Sequence, residues 1–481
     1  MPCTLNPEPY TMSLCEVAHM PRKYVIHTKT SPHRFEPITK SGVIAWEEGC
    51  LKCAVCVKKR CVYKVYENRR LDPKQMVDSV DNQCMNCLRC VQGCPKELIH
   101  KSVSPQFKAL GDTHYTPEII AKLWYQAETG KIPVSGAGYP GPFTGEGFDG
   151  MWTDMSEIVR PTRDGIHGRE YISTAVDIGR TLTHLSFQGS GELSCEVPPL
   201  VKIPLPIMMK APSFGSVSAE TLTGWAMAAR RLGTFLILPD QKIKGTFDGA
   251  GRSVIPLISA AVKPGQLKSR IVEIPWTEGW EEKRSAIEKK RSTALTAAHL
   301  PLVRGVEETA CRVVKSGVYL LHVEASYTGT AFDDESRFLR DGIRSIHRAL
   351  VGEGLRDEVT LLAGGGIAMA EHVAKAIICG ADAVVIDFPI LIALECRMCR
   401  RCTKGLPCPV EIQKASAPWV ASRTINLLGA WHNQLLEVMG AMGIRDARRL
   451  RGEVGRAMFF DDLDEATFGS MGEVKEGFEI E

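Results

Sequence analysis

The stretch Leu361-Leu362-Ala363-Gly364-Gly365-Gly366-Ile367 carries an apolar segment into three glycines, and Gly380-Ala381-Asp382-Ala383-Val384-Val385-Ile386-Asp387 follows with a second apolar run. Between them Glu371–Cys379 has helical spacing. The pattern is strand, loop, helix, strand. Working upstream, further short apolar runs stand at Ile203–Met209, Thr234–Leu238, Val254–Ser259, Arg270–Ile274, Leu300–Val303, Val318–Val323 and Val359–Ala363. Helical stretches lie between them at Glu220–Leu232, Glu307–Ser316 and Glu335–Val351. Continuous apolar runs mark strands buried on both faces, and their alternation with helices marks a parallel sheet. Eight such runs, the last at Ala383–Ile386, predict a (β/α)8 barrel rather than a doubly wound sheet.

The chain has 481 residues, 44% of them apolar and 24% charged, the profile of a globular protein with a large core. Lys plus Arg number 59 and Asp plus Glu 56, a net charge of +3. That balance gives no reason to expect nucleic acid or an anionic membrane as the partner. No apolar run is long enough for a membrane span, and Met1 to Met20 has no basic segment followed by an apolar one. A cytoplasmic protein is expected, where disulfides are rare. Seventeen cysteines therefore need another role.

Their spacing supplies it. Cys50, Cys53, Cys56 and Cys61 read C-x2-C-x2-C-x4-C; Cys84, Cys87, Cys90 and Cys94 read C-x2-C-x2-C-x3-C-P. Three closely spaced thiolates wrap one face of an iron–sulfur cube, and the remote cysteine of each run serves the other cube. One 4Fe–4S cluster is thus expected on Cys50, Cys53, Cys56 and Cys94, the second on Cys84, Cys87, Cys90 and Cys61. The alternatives are zinc sites, which usually take two separated pairs, or idle buried thiols, and eight cysteines in this pattern are hard to explain by either. The insertion between Cys61 and Cys84, and Val62 where a proline would follow, depart from a minimal ferredoxin. A third group, Cys396, Cys399, Cys402 and Cys408, with Pro409 after it, predicts a further 4Fe–4S cluster, or 3Fe–4S if one thiolate is unused.

These marks divide the chain. Residues 1–40 read as an arm without periodicity, 41–105 as a ferredoxin-like module, and 106–200 as a connecting region with a short helix near Pro117–Thr129. Residues 201–415 read as the barrel with the third cysteine motif at its end, and 416–481 as a helical C-terminal segment. Glycines at Gly364, Gly365 and Gly366 let backbone N–H groups approach a phosphate, and loops after the last two barrel strands commonly form one phosphate site. A tight turn would use the same glycines. Beside the second loop and the cysteine motifs, FMN becomes the leading ligand; no adenine-binding G-x-G-x-x-G follows an early strand.

Several segments resemble one family. Lys210-Ala211-Pro212-Ser213-Phe214-Gly215-Ser216-Val217-Ser218-Ala219-Glu220 is similar to the opening barrel motif of the glutamate synthase large-subunit FMN domain. Val262-Lys263-Pro264-Gly265 resembles its A-K-P-G loop, and Thr328-Gly329-Thr330-Ala331 the end of its D-G-G-T-G-A segment. Gly365-Gly366-Ile367 through Ala374-Lys375-Ala376 resembles its phosphate-binding strand and helix, and Cys396, Cys402 and Cys408-Pro409 its cluster motif. The likeness covers roughly residues 150–460, and the ferredoxin insert resembles archaeal-type and stand-alone forms.

The resemblance implies an α/β fold, a (β/α)8 TIM barrel of the FMN-linked oxidoreductase type, preceded by an α+β two-cluster ferredoxin-like module. It implies that Gly364, Gly365 and Gly366, with Asp387 and Phe388, hold the FMN phosphate, and that Ser213, Phe214 and Gly215 lie along the flavin. Arg304 would sit near flavin N1, Lys263 on the substrate carboxylate or imine, and Gln266 at the family's glutamine position. An ordinary salt bridge is the alternative for Lys263 and Arg304.

The implied activity is an oxidoreductase acting on the CH–NH2 group. Electrons from ferredoxin or another donor protein would pass through the clusters to FMN, reducing a 2-imino acid to form glutamate or a related amino acid. Two departures bear on substrate. The family's N-T-G-E-G-G segment is replaced by Thr234-Phe235-Leu236-Ile237-Leu238-Pro239-Asp240, and the D-G-G triplet by Ala325-Ser326-Tyr327. No amidotransferase nucleophile is visible, so ammonia would come from solution or a separate amidotransferase or synthase-like subunit. Alternatives are an enzyme acting on an N-substituted amino acid, or a non-catalytic FMN and iron–sulfur electron-transfer subunit.

Overall fold

The computed structural model describes residues 24–38, 41–46, 51, 53, 55–62, 87–132, 146–153, 172–194, 197–243, 251–259, 269–290 and 294–468. Strand β1 (Ser41–Trp46) and strand β2 (Ile99–Val103) pair antiparallel and bracket the first two cysteine motifs. Within that bracket a turn of π-helix, Cys56–Arg60, meets α1 (Arg89–Gln92). Helices α2 (Pro105–Lys108) and α3 (Pro117–Thr129) follow. The latter starts on a Thr116 cap with Pro117 in its first turn, a start signal the sequence carries openly.

Strand β3 (Met151–Thr153) pairs with the late β14 (Ala457–Phe459), and β4 (Val176–Gly179) pairs with β5 (Leu200–Ile203). Thr360, the first residue of a barrel strand, exchanges hydrogen bonds with Gly179, so the second pair lies against the barrel's N-terminal end.

The barrel itself closes through eight parallel strands. They are β6 (Ile207–Lys210), β7 (Leu236–Pro239), β8 (Val254–Leu257), β9 (Ile271–Pro275), β10 (Leu295–Pro301), β11 (Leu320–Glu324), β12 (Thr360–Gly364) and β13 (Ala383–Ile386). Every residue of β12 and β13 is buried, as continuous apolar runs require of strands covered on both faces. The fifth barrel strand starts upstream of the expected Leu300, because Leu295-Thr296-Ala297-Ala298-His299 mixes small and polar residues into the run.

Outside stand α4 (Ala219–Leu232), α5 (Trp280–Lys290), α6 (Val306–Lys315), α7 (Leu339–Gly352) and α8 (Ala370–Cys379). The short α9 (Phe388–Ile392) leads to the third cysteine motif, after which come α10 (Ala417–Ala441) and α11 (Phe460–Phe468). Between β7 and β8 the described residues form only two 3-10 turns, Asp240–Lys242 and Gly251–Ser253. Helix α10 packs against α3, α4 and α8, which explains its burial on most sides. Its fully buried Arg423 donates to the carbonyls of Ala393, Ser31 and Trp124. Buried guanidinium groups need such partners. These bonds tie residues 24–38, which have no helix or strand, onto α3 and α10.

Candidate functional site

Five charged or titratable side chains converge inside the C-terminal half of the barrel. Lys210 ends β6, Glu273 lies in β9, His299 in β10, and His322 and Glu324 in β11. Lys210 Nζ is 2.5 Å from both carboxylate oxygens of Glu324. His299 Nε2 is 2.5 Å from Glu324 Oε2, and His322 Nδ1 is 2.7 Å from Glu273 Oε1. The two imidazoles face each other at 5.0 Å between centroids. Burial would raise the Glu324 carboxyl, but His299 and Lys210 hold it well below the usual carboxylate range. Burial opposes ionisation of Glu273 too, and His322, His299 and Lys210 overcome it. Donor atoms of Glu273, His299 and His322 lie within 4.8 Å of one another, but Glu273–His322 and His299–Glu324 sit at hydrogen-bond distance, so the cluster is a hydrogen-bonded network.

Glycines follow at the next strand end. Gly365 and Gly366 have φ of +89° and +68°. A Cβ on Gly365 would lie 2.3 Å from the Ala325 carbonyl oxygen, and one on Gly366 2.2 Å from Gly329 Cα. Only glycine permits both the backbone and this approach of the β11 loop. A Cβ on Gly364 would lie 2.7 Å from His322 Nε2, so this loop also roofs the charged network.

Asp387 is buried and caps α9, accepting from the Phe388 amide at 2.6 Å; burial pushes its carboxyl up to about 7. Phe388 is fully buried and faces Phe214 at 4.5 Å, Tyr327 at 5.8 Å and Tyr115 at 6.0 Å. Its side chain builds an aromatic floor. Ser213 is exposed at the edge of that floor, and Gly215 packs on Leu391.

The segment Gly111–Tyr115 closes one side. His114 Nε2 is 3.1 Å from the Gly366 carbonyl oxygen, and burial takes its imidazole down to about 4. The Gly111 amide donates to the Arg397 carbonyl, and Asp112 meets Arg400 at 3.5 Å. Arg400 stacks on Tyr327 at 4.5 Å and on Phe214 at 5.6 Å. The Tyr115 hydroxyl is buried near Asp387 and has no hydrogen-bond partner among the described residues. An orphaned hydroxyl beside two adjacent strand-end loops fits a site completed by a polar, phosphate-bearing ligand.

Cys396, Cys399, Cys402 and Cys408 line one cavity with Phe214, Gly215 and Ser216. Burial pushes the Cys396 thiol up to about 12. In the second motif Leu88, directly after Cys87, has φ 59° and precedes the helical turn carrying Cys90. In the third, Arg400 directly after Cys399 has φ 54° and precedes the turn carrying Cys402. The two motifs share this left-handed step, which strains a non-glycine residue and curls the backbone around a common centre. Four converging sulfurs fit a cluster. In the N-terminal region Cys56 and Cys90 are buried on contacting turns, while Cys50 and Cys84 lie outside the described residues.

Two expectations need comment. Lys263 and Gln266 lie outside the described residues. Arg304 stands in the loop after β10 with its side chain 84% exposed, and its guanidinium meets Asp334 at 3.9 Å. A second cation, Lys210, lies inside the mouth with its side chain 14% exposed. The sequence reading missed Lys210, Glu324, His299, Glu273 and His322. The available signal was a charged or histidine side chain inside otherwise buried runs.

A parallel barrel with a charged mouth, a glycine loop and a four-cysteine cavity behind its last strand has the layout of a redox barrel enzyme. A family model described as the conserved region in glutamate synthase matches residues 330–445. The archaeal glutamate synthase (NADPH) of Archaeoglobus fulgidus is 25% identical over 505 aligned residues, covering 89% of this chain and 96% of its own. The archaeal-type glutamate synthase (NADPH) of Thermotoga maritima is 27% identical over 472, covering 84% and 91%. Among solved structures, a mandelate oxidase mutant with a monooxide FMN adduct is 16% identical at a TM-score of 0.37, covering 64% of this chain and 92% of that one. A mutant flavocytochrome b2 with pyruvate bound is 13% identical at 0.40, covering 68% and 86%. The chain is thus similar to the glutamate synthase family, through residues 330–445 and through relatives that align over most of its length.

Proposed function

We propose that the chain is an iron–sulfur flavoprotein that forms glutamate by reductive amination of 2-oxoglutarate. The end-to-end match with archaeal-type synthases carries this reading. FMN, bound non-covalently, would take the mouth of the barrel, its phosphate at Gly364–Gly366 and the Asp387–Phe388 loop, its ring along Ser213–Gly215. Bound FMN supplies hydride, and the clusters supply single electrons.

The chain's own residues do the rest. The cavity of Cys396, Cys399, Cys402 and Cys408 would hold the third cluster against Phe214, a short step from the aromatic floor. Residues 41–105 would hold two 4Fe–4S clusters and receive electrons from a ferredoxin or an NADPH-dependent donor protein. The four cysteines of each site need a reducing, cytoplasmic setting. Lys263, which falls between β8 and β9 in the sequence, would bind the substrate carboxylate, with Gln266 as a second substrate contact. Ammonia would come from solution or a separate amidotransferase subunit. Among the described residues no helix is long and apolar enough to cross a membrane.

The test is anaerobic reduction of the full-length protein followed by reoxidation with 2-oxo acids plus ammonia. Reoxidation by 2-oxoglutarate and ammonia together, with glutamate formed in equal amount, is the expected result. Reoxidation by no 2-oxo acid under any ammonia concentration overturns the reading.

A further inference from the structure

We infer that Lys210, held in place by Glu324 and His299, is the acid that expels water when a 2-oxo acid and ammonia condense in the barrel mouth; this rests on the reductive-amination reading above.

Placing charges inside a barrel carries a desolvation penalty, and apolar side chains of similar volume would make a more stable core. A Lys–Glu–His group there is poorly explained by stability alone. Its accessibility is graded. Lys210, Glu324 and His299 keep 14%, 17% and 14% of their side-chain surface, while Glu273 and His322 behind them keep 1% and 0%. Lys210 and Glu324 each end their strands, at the face where barrel enzymes place their chemistry. Glu324 is ionised and accepts from the lysine with both oxygens. That bidentate grip fixes the ammonium at one point, and His299 fixes the carboxylate from the other side.

The step is balanced without a redox partner. Ammonia adds to the ketone carbon to give a carbinolamine. A proton then moves from Lys210 Nζ to the hydroxyl oxygen, the C–O bond breaks, and water leaves. The nitrogen lone pair closes the C=N bond, giving an iminium, and Lys210 is left as a neutral amine that regains its proton from solvent. No electron changes hands. The Glu324 carboxylate balances the positive charge that appears on the substrate nitrogen. Lys210 is the catalytic residue; Glu324 and His299 are positioning residues.

The experiment uses oxidised full-length protein, so no reduction step intervenes. Carbonyl-18O-labelled 2-oxoglutarate is incubated with ammonia, and ammonia-dependent loss of label is followed by mass spectrometry against an enzyme-free control. The wild type should accelerate the loss. Lys210→Met and Lys210→Gln should each reduce that acceleration by about 100-fold or more, the usual worth of a general acid. Lys210→Arg, which keeps the charge, should recover part of it. His299→Gln should slow the exchange while dithionite still reduces the cofactors, an outcome a general folding defect would not give.

Exchange at the wild-type rate in Lys210→Met or Lys210→Gln overturns the inference. So does a wild type with no ammonia-dependent exchange. The reductive-amination reading fails separately, if the reduced wild type is not reoxidised by 2-oxoglutarate plus ammonia.

Discussion

His33 Nδ1 stands 3.0 Å from Glu395 Oε1, which ties the N-terminal segment to the residue directly before Cys396. The same ring reaches Glu128 of α3 at 3.4 Å, and the Arg34 amide also donates to Glu395. Burial lowers the His33 pKa, but its bonds to Glu128 and Glu395 more than reverse this, and the net direction is upward. A raised folded pKa stabilises fully below the ordinary histidine value and is lost as pH rises through the folded one. The thermal midpoint should therefore drop as pH rises above the ordinary histidine value. His33→Asn should flatten that slope and cost about 1–3 kcal/mol at the lower pH. Melting curves of both proteins across this range decide it; parallel slopes would remove His33 as the titrating group.

Metal content is the second expectation. Three motifs of four cysteines imply about 12 Fe per chain, with matching sulfide. Cys399→Ser leaves three thiolates on the third cavity and should remove about one iron, giving a 3Fe–4S signal by electron paramagnetic resonance. Stoichiometric zinc with little sulfide sinks the cluster reading.

The barrel was legible because its strands are short apolar runs buried on both faces, and seven of the eight expected runs begin within a few residues of the observed strands. Leu295–Pro301 escaped because alanine, threonine and histidine dilute its run. Helix α5 was not singled out, since charged residues dominate it and, among its described side chains, only Trp280 and Ile287 are buried. The charged network was illegible for a different reason. Glu273, His299 and the His322–Glu324 pair are scattered over three strands, and only barrel closure brings them to Lys210. The part played by Gly111–Tyr115 depends on contacts more than 250 residues distant, such as His114 with Gly366 at a separation of 252, and no local pattern announces them.

Gly365→Ala tests the phosphate loop. The new methyl would meet the Ala325 carbonyl oxygen at 2.3 Å, at a φ of +89°. Backbone strain of about 1–3 kcal/mol is expected, with displacement of the β11 loop and loss of bound flavin on gel filtration. Gly305→Ala is the matched control: its φ is +78°, but nothing lies within 4 Å of the added atom. It should carry similar strain and keep the flavin. Equal flavin retention in both variants would move the phosphate elsewhere.

Lys263 is separated from Lys210 by the parameter it changes. A lysine that grips the substrate carboxylate binds ketone, carbinolamine and iminium alike, because that carboxylate takes no part in the bond changes. Removing such a group costs about 2–5 kcal/mol of binding, and uniform binding appears in KM rather than kcat. Lys263→Ala should therefore raise the 2-oxoglutarate concentration needed for half-maximal reoxidation by roughly two orders of magnitude. The rate at saturation should change little, and dithionite reduction of flavin and clusters should continue. Lys210→Met should do the reverse, lowering the saturated rate with a smaller effect on KM. Steady-state curves with 2-oxoglutarate at saturating ammonia distinguish them. If Lys263→Ala leaves both parameters at wild-type values, Lys263 forms an ordinary salt bridge and substrate binding belongs to other residues of the mouth.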